Sequence, residues 1–220
     1  MKKKNLTALV LSLASATAFA GVMEPPAAPQ RLLFIEGGLS FSHSFYKDSI
    51  VTPESITTAT PGGFIINPDH FYPNDYWGGY IGASLYSSNW LANVRLDMYS
   101  SESKINYAAD TYIDIAPVKL SFTLDRVWGD INAFSYWIGA GAVVENTNDG
   151  SFRIPASHGL VMSETIQRTR IDPQIEAFAM YRMTNNLGIK FNLGYQIPLN
   201  NNMTNGDLNL NLGLNYAFPV

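Results

Sequence analysis

Hydrophobic and polar residues alternate along the last two segments of the chain, residues 187–199 and 207–218. Leu, Ile, Phe and Tyr occupy every second position, and Gly, Lys, Asn and Gln occupy most positions between them. A period of two predicts β-strands with one apolar and one polar face. The polar face combines Lys, Asn and Gln with Gly, which is typical of the wall of a small wet lumen. The apolar face would then meet lipid, as in a transmembrane β-barrel.

Six earlier segments show the same alternation, so the sequence predicts eight strands. Each is long enough to cross a bilayer at a tilt, which takes about 9–11 residues. Strands of soluble proteins average only about 5–6 residues. The predicted fold is all-β, an eight-stranded antiparallel up-and-down transmembrane β-barrel. The predicted strands cover about residues 33–45, 76–87, 90–99, 112–125, 133–145, 171–183, 187–199 and 207–218.

Charged residues separate between the two faces of these strands. The apolar faces carry one charged residue, Asp114, at a strand end. This separation is expected because Lys or Arg facing lipid at mid-bilayer costs about 2–4 kcal/mol. The polar faces carry a predicted lumen charge network of Glu36, Arg95, Asp97, Lys119, Asp125, Glu145, Glu176, Arg182 and Lys190.

The lumen of such a barrel has two interpretations. An eight-stranded barrel is just wide enough for its side chains to fill it, and the acidic and basic residues of the network nearly balance. This favours a polar plug held by salt bridges, and inward Tyr80, Tyr86, Phe178 and Met180 also argue for filling. The alternative is a narrow or gated conductance path, since several inward residues are small. These are Gly139, Gly141, Gly188, Gly194 and Gly213.

The chain begins with a predicted secretory signal peptide, residues 1–20. Lys2, Lys3 and Lys4 precede a short apolar run, and Ala18-Phe19-Ala20 fits the cleavage pattern. The apolar run is too short to cross about 30 Å of hydrocarbon as a helix. Residues 21–30 contain three prolines and are predicted to form a short periplasmic leader. The barrel itself is expected to cover residues 31–220.

Connections between the predicted strands alternate between short and long. Short turns are typical of the periplasmic side of an outer-membrane barrel, and long loops of the extracellular side. An even strand number then places both termini in the periplasm. Apolar residues in the first long loop fit a binding surface and packing onto the barrel rim equally well. The predicted extracellular loops are residues 46–75, 100–111, 146–170 and 200–206. Residues 162–170 also fit an extension of the sixth strand above the membrane, where an exposed edge would suit a partner strand.

Composition narrows the function classes further. The chain has no Cys, so backbone pairing and packing must hold an exported fold together without disulfides. A net charge of −4 gives no argument for nucleic acid as a partner. No phosphate-binding glycine loop, zinc pattern or nucleophile elbow occurs, so we expect no cofactor, no metal and no catalytic residue.

Three histidines are the remaining candidates for catalysis. His43 is predicted to point outward, while the flanking Ser42 and Ser44 point to the other face, so they cannot act together. An interfacial or hydrogen-bonded histidine is the better interpretation. His70 and His158 lie in predicted loops, and Asp69-His70 with Asp75 has no diagnostic metal spacing.

The C-terminal strand carries the most specific pattern in the chain. Leu210, Leu212, Leu214, Tyr216 and Phe218 alternate and close on an aromatic residue, after which only Pro219 and Val220 follow. With the other strands, this pattern resembles the eight-stranded OmpA and OmpX type of Gram-negative outer-membrane β-barrels. The resemblance implies an assembly signal, formed by Leu212, Leu214, Tyr216 and Phe218, for the barrel-assembly machinery. Candidates for the aromatic girdles at the two membrane interfaces are Phe45, Tyr76, Trp77, Trp90, Tyr99, Tyr112, Phe134, Tyr181, Tyr216 and Phe218.

The expected function is a non-enzymatic integral outer-membrane protein with an envelope-structural or surface-interaction role. Its expected partners are outer-membrane lipid and lipopolysaccharide, the barrel-assembly machinery, and an extracellular partner bound through the loops. A small porin-like channel is the first alternative, and a lipid A-modifying enzyme the second. A soluble lipocalin-like barrel is the third, and it would turn the apolar faces inward and the charges outward.

Overall fold

The structure is a computed structural model of the whole chain. The predicted signal peptide and leader, residues 1–30, and His158 lie outside the described residues. Parts of the predicted loops also lie outside them. The structure describes residues 31–48, 50–51, 65–70, 72–106, 111–153, 163–199 and 204–220.

Strands dominate the described residues, with one short 3₁₀ helix at Pro68–His70. No helix among these residues is long and apolar enough to cross a membrane. In chain order the strands are β1 (Leu32–Tyr46), β2 (Ile50–Val51), β3 (Ile65–Ile66), β4 (Asp75–Ser87), β5 (Trp90–Tyr99), β6 (Glu102–Asn106), β7 (Thr111–Ile115), β8 (Pro117–Gly129), β9 (Phe134–Arg153), β10 (Ser163–Arg182), β11 (Leu187–Gln196) and β12 (Thr204–Pro219).

Eight of these strands form one closed antiparallel barrel. Neighbours pair in the order β1, β4, β5, β8, β9, β10, β11 and β12, and β12 pairs with β1 to close the ring. Each barrel strand is therefore paired on both sides through the membrane-spanning part, which leaves no open sheet edge there. The predicted eight-stranded, all-β, antiparallel barrel is confirmed.

The register of the barrel defines how strongly its strands tilt. Following directly paired residues around the ring from Phe34 of β1 leads back to β1 at Ser44, ten residues further along, which is a shear number of ten. With a rise of about 3.3 Å per residue and strands about 4.8 Å apart, the strands tilt by about 40°. The path runs through Ser84, Asn93, Thr123, Gly141, Gln174, Gln196 and Asp207.

The two faces of the barrel have the polarity of a membrane protein. Outward Leu39 and Ile138 are 68% and 60% exposed, whereas inward Arg95 is 1% exposed. A soluble barrel has the opposite arrangement, because exposed apolar surface is unfavourable in water. The lipocalin-like alternative is therefore wrong for this chain.

Short turns join the barrel strands at one end, which we call the turn end. Ser88 and Asn89 both have positive φ, 52° and 67°, which is the backbone of a two-residue hairpin turn that matches strand twist. The other two turns cover residues 130–133 and 183–186. The opposite end, which we call the loop end, carries the long connections.

Strand pairing at the loop end continues into segments predicted as loops. The predicted fourth strand, 112–125, is divided at Ala116 into β7 and β8. Pro117 has no N–H to donate and begins β8, a position where a strand tolerates proline. β7 turns away from β8 to pair with β6 and with the end of β9. β9 and β10 stay paired up to Arg153 of β9 and Ser163 of β10, so residues 146–153 and 163–170 extend the barrel wall.

Candidate functional site

The lumen contains an apolar cluster at the turn end, which we call the turn-end plug. Trp137 and Phe178 lie at its centre with ring centroids 5.2 Å apart. Their side chains fill the barrel lumen at the turn end. The plug consists of Leu32, Phe34, Tyr86, Leu91, Val127, Ile131, Trp137, Phe178, Met180 and Ala217.

A buried ion pair lies directly above the plug. Lys190 Nζ is 2.7 Å from Glu36 Oε2 and donates to Glu36 Oε1 at 2.9 Å. The ammonium group also lies 4.2 Å from the centroid of the Phe178 ring. Gly82 makes this position available to Glu36, because a Cβ at Gly82 would lie 2.9 Å from Glu36 Oε1.

A second charged group crosses the middle of the lumen. Arg95 donates from Nε to Asp97 at 3.0 Å and from Nη1 to Glu176 at 3.3 Å. Thr123 donates to Glu176 and lies 3.3 Å from Asp125 Oδ2. One hydroxyl proton cannot serve both acceptors, so the two carboxylates share a single donor. Asp97 and Glu176 therefore share one guanidinium group, and Asp125 is linked to them through Thr123.

A third charged group lies nearer the loop end. Lys119 Nζ is 3.5 Å from Glu145 Oε2 and 3.6 Å from Asp207 Oδ2. Arg170 donates from Nη2 to Glu145 at 2.7 Å and to Asp207 as well. Arg170 Nε also lies 3.3 Å from Asp172. This group links β8, β9, β10 and β12 across the lumen.

A second apolar cluster covers the lumen at the loop end, and we call it the loop-end cap. It comprises Tyr76, Tyr99, Ile113 and Ile115, with Tyr72 packed against it. Tyr46 and Tyr76 both donate hydrogen bonds to the carbonyl oxygen of Pro73, at 2.8 and 2.9 Å. Burial raises the pKa of the Tyr46 hydroxyl, so Tyr46 remains a donor at neutral pH.

Larger side chains cover the inward glycines. A Cβ at Gly213 would lie 2.5 Å from the Tyr80 hydroxyl, and one at Gly188 would lie 2.8 Å from Asn215 Oδ1. A Cβ at Gly139 would overlap the carboxylate of Asp125. The small residues therefore make room for neighbours that fill the lumen, rather than for an open path.

The nine charged residues predicted for the lumen network are all inside the barrel. Eight of them belong to the three groups described above, whereas Arg182 lies apart at the turn end, 5.8 Å from the Phe34 ring centroid. Sequence reasoning missed Arg170, Asp172 and Asp207. Asp172 and Asp207 lie at the starts of the predicted strands 171–183 and 207–218, and Arg170 lies one residue before the first of these. All three alternate in step with Gln174 or Asn209, so carrying the alternation to the strand ends finds them. With them, the lumen holds seven acidic and five basic residues: Glu36, Asp97, Asp125, Glu145, Asp172, Glu176 and Asp207, and Arg95, Lys119, Arg170, Arg182 and Lys190.

His43, the main histidine candidate for catalysis, pairs with a carboxylate at the loop end. His43 Nδ1 lies 2.6 Å from Asp75 Oδ1 on the outer surface. Ser42 and Ser44 are buried on the lumen side, so neither flanking serine joins this pair. No three or more His, Asp or Glu side chains come close enough to hold a metal ion within the part of the chain that the structure describes.

The loop end also carries a lysine that fastens two segments together. Lys104 of β6 donates to the carbonyl oxygens of Asp69 and Tyr72 and, at 3.1 Å, to Asn74 Oδ1. Asn74 in turn donates to Asp69 at 2.6 Å. The ammonium group is thus held by oxygens of residues 69–74, and it ties the β6–β7 hairpin to that segment.

The outer surface carries the predicted aromatic girdles with two corrections. Tyr76 and Tyr99 belong to the loop-end cap inside the barrel, because both lie on the inward side of their strands. The side chain of Tyr112 lies outside the described residues. The other seven predicted aromatic residues are exposed: Phe45, Trp77, Trp90, Phe134, Tyr181, Tyr216 and Phe218.

The residues of the predicted assembly signal lie on the outer face of β12. Leu212, Leu214, Tyr216 and Phe218 are each about half exposed, and the Tyr216 and Phe218 rings are 4.8 Å apart. This strand pairs with β11 and with the first strand, so it closes the barrel.

Comparison with known proteins finds similarity in structure alone. No protein-family model matches the chain, and no curated protein matches its sequence. Ail, the attachment invasion locus protein of Yersinia pestis, was solved in complex with the heparin analogue sucrose octasulfate. It is 15% identical, with 86% of this chain and 99% of Ail covered and a TM-score of 0.52.

Two Pseudomonas aeruginosa outer-membrane proteins are also similar. The N-terminal β-barrel domain of OprF is 15% identical, with 87% of this chain and 100% of that chain covered and a TM-score of 0.51. OprG is 11% identical, with 88% and 99% covered and a TM-score of 0.57. At these identities the likeness defines the fold and carries no function. The chain therefore has the fold of the eight-stranded outer-membrane β-barrels of the OmpA and OmpX type.

Proposed function

We propose that the protein is a non-enzymatic integral outer-membrane protein whose closed barrel holds its long loops at the cell surface. The observation that carries this proposal is the filling of the lumen at both ends. The turn-end plug and the loop-end cap lie on either side of the charged groups. A barrel of this kind is a rigid support, and its variable part is the set of loops.

The orientation of the barrel in the membrane follows from the difference between its two ends, one with short turns and one with long loops. The turn end would face the periplasm, as short turns do in outer-membrane barrels, and the loop end would face outward. The outer face would contact outer-membrane lipid and lipopolysaccharide through its apolar belt. The last strand would be recognised by the barrel-assembly machinery through Leu212, Leu214, Tyr216 and Phe218.

The charge of the loops limits which kinds of extracellular partner they can bind. The heparin analogue bound to Ail is a polyanion. The predicted loops of this chain carry more acidic than basic residues, so a polyanion is disfavoured by repulsion. We propose an uncharged or cationic surface as the partner. Arg170 lies in the lumen, so the loop charges are Lys47, Lys104, Arg153 and Arg168 against Asp48, Glu54, Asp69, Asp75, Glu102, Asp110, Asp149 and Glu164.

Planar-bilayer recording of the purified protein distinguishes a closed barrel that supports the loops from a channel. A lumen closed at both ends gives no steady unitary current over a range of voltages. Heat-modifiable migration on gels of the same sample shows that the barrel is folded. Steady unitary currents from a folded sample would contradict the proposal and favour the channel.

Mass spectrometry of lipid A tests the non-enzymatic part. Cells with and without the protein are expected to have the same acylation pattern, because neither serine beside His43 reaches the histidine. A changed pattern that disappears in His43→Ala would show that the protein modifies lipid A.

A further inference from the structure

Two asparagines lie side by side in the middle of the lumen with their carbonyl oxygens unused. Asn192 of β11 and Asn211 of β12 are directly paired, and each is 1% exposed. Asn192 Nδ2 donates to Glu176 Oε2 at 3.2 Å, and Asn211 Nδ2 donates to Asp97 Oδ1 at 2.6 Å. Neither Oδ1 has a hydrogen-bond partner among the described residues.

The orientation of both amides is fixed by these contacts. An ionised carboxylate only accepts hydrogen bonds, so each amide must turn its NH₂ group towards the carboxylate. The two oxygens are then the free ends. Inward side chains of directly paired residues have Cβ atoms about 4.5–5.5 Å apart, which is close enough for one ion to contact both amide oxygens.

Carboxylates outnumber cations around the two amides, since Arg95 is shared by Asp97 and Glu176 and Lys190 is paired with Glu36. Asp97 and Glu176 both pair with Arg95, and Asp125 joins them through the Thr123 hydroxyl. Asp125 Oδ1 is likewise without a hydrogen-bond partner among the described residues. Buried negative charge in a low-dielectric interior is costly unless it is paired. Free oxygens and excess carboxylates at one place both favour a cation.

We propose that a monovalent alkali cation binds in the lumen between Asn192 Oδ1 and Asn211 Oδ1, beside Asp97 and Glu176. Both asparagine side chains are already held by those carboxylates, so the oxygens are in place before the ion binds. A divalent ion is a poorer match. Calcium takes six to eight oxygens and uses carboxylates directly, whereas Asp97 and Glu176 are occupied by Arg95, Ser40 and Thr123.

This site is independent of the loop partner and of conductance. A bound ion inside a barrel that carries no current would leave the proposed support role intact. Steady currents would overturn the proposed function and leave ion binding to be decided by the experiments below.

Urea unfolding of the protein in lipid vesicles tests the site. Sodium or potassium chloride is exchanged for N-methyl-D-glucamine chloride at constant ionic strength. A ligand that binds only the folded barrel raises the urea midpoint with the logarithm of its concentration. The wild-type midpoint is expected to rise with sodium or potassium, and in Asn192→Leu and Asn211→Leu this dependence is lost.

Asn215→Leu is the matched control. Asn215 is an inward amide of β12 at the turn end with both polar atoms unpaired, so its loss leaves the proposed site intact. We expect this variant to keep the dependence on the alkali cation. A wild-type midpoint that does not respond to either cation would overturn the proposal, and so would an equal loss in all three variants.

A crystallographic measurement on the wild-type protein needs no variant to fold. Protein refolded and crystallised with thallium(I) is expected to show an anomalous peak between the two oxygens. Density there without anomalous signal would mean that a water molecule bridges the asparagines, which would overturn the cation proposal.

Discussion

The buried pair of Lys190 and Glu36 gives the sharpest prediction about the lumen. Lys190→Met keeps the aliphatic stem and its contact with Phe178 but removes the ammonium group. The two side chains are 3% and 1% exposed, and Lys190 is the one ion-pair partner of the Glu36 carboxylate among the described residues. The substitution therefore leaves a buried carboxylate without its ion-pair partner.

The size of the effect depends on whether the lumen is dry or wet. Removing one partner of a buried pair costs about 3–5 kcal/mol. An ion pair in a water-filled pore behaves like a surface pair and is worth about 0–1 kcal/mol. The two cases differ by at least about 2 kcal/mol, which is more than tenfold in the folding equilibrium.

Urea unfolding in lipid vesicles, followed by tryptophan fluorescence, measures this difference. We expect Lys190→Met to lose about 3–5 kcal/mol, and Glu36→Gln combined with Lys190→Met to recover most of the loss. The control is His43→Ala, which breaks a partly exposed pair with Asp75 and is expected to cost less than about 1 kcal/mol. A loss below about 1 kcal/mol for Lys190→Met would refute the filled lumen.

Three further predictions concern packing, the lipid face and the loop end. Gly141→Ala places a Cβ 1.8 Å from the Phe122 carbonyl oxygen, whereas Gly194→Ala meets Gln174 Nε2 at 3.1 Å. The first is expected to lower the heat-modifiable folded fraction on gels and the second to leave it near wild type; equal fractions would contradict this. Leu39→Arg is expected to lower the free energy of unfolding, measured in urea, by about 2–4 kcal/mol. Ile105→Arg in β6 is expected to change it by no more than about 0.5 kcal/mol. A similar loss at both positions would argue against lipid around Leu39. Lys104→Ala is expected to speed amide hydrogen exchange of Tyr72 and Asn74, and unchanged exchange would show that this lysine does not hold the segment.

The barrel could be predicted from the sequence because the chemistry of each strand repeats every two residues. In β8, Lys119, Ser121 and Thr123 alternate with Val118, Leu120 and Phe122, and the structure puts the first set inside and the second outside. A shift of one residue would turn every charged side chain towards lipid. Parity alone was therefore enough to assign nine charged residues to the lumen face, where the structure buries them.

Only part of the turn-end plug, namely inward Tyr86, Phe178 and Met180, could be predicted in the same way. Phe34, Leu91 and Trp137 are inward, yet each has apolar neighbours on both sides along its strand. Where both faces of a strand are apolar, the alternation does not show which residues point inward. Only the closed barrel brings these residues together. The partners within the charge network are likewise a property of the register and tilt of the barrel. Lys190 and Glu36 are 154 residues apart in the chain.

The loop end departs from the prediction for another reason. β6, β7 and the ends of β9 and β10 are held by pairing with one another above the barrel. Their sequences mix polar and apolar residues without a membrane to impose alternation. The break between β7 and β8 depends on Pro117, which was included within a predicted strand. Local pattern was therefore a weaker guide there than in the membrane-spanning part.

A nitroxide scan along β12 tests the central claim most directly, namely that the apolar face meets lipid around a filled lumen. The chain has no Cys, so single cysteines at residues 208–216 give site-specific spin labels in lipid vesicles. We expect oxygen, which concentrates in lipid, to collide often with labels at Leu210, Leu212 and Leu214 and rarely with labels at Asn209 and Asn211. A water-soluble nickel chelate is expected to reach none of these five positions. Frequent collisions of the chelate at Asn209 and Asn211 would contradict the filled lumen, and frequent collisions at the leucines would contradict the membrane-spanning barrel.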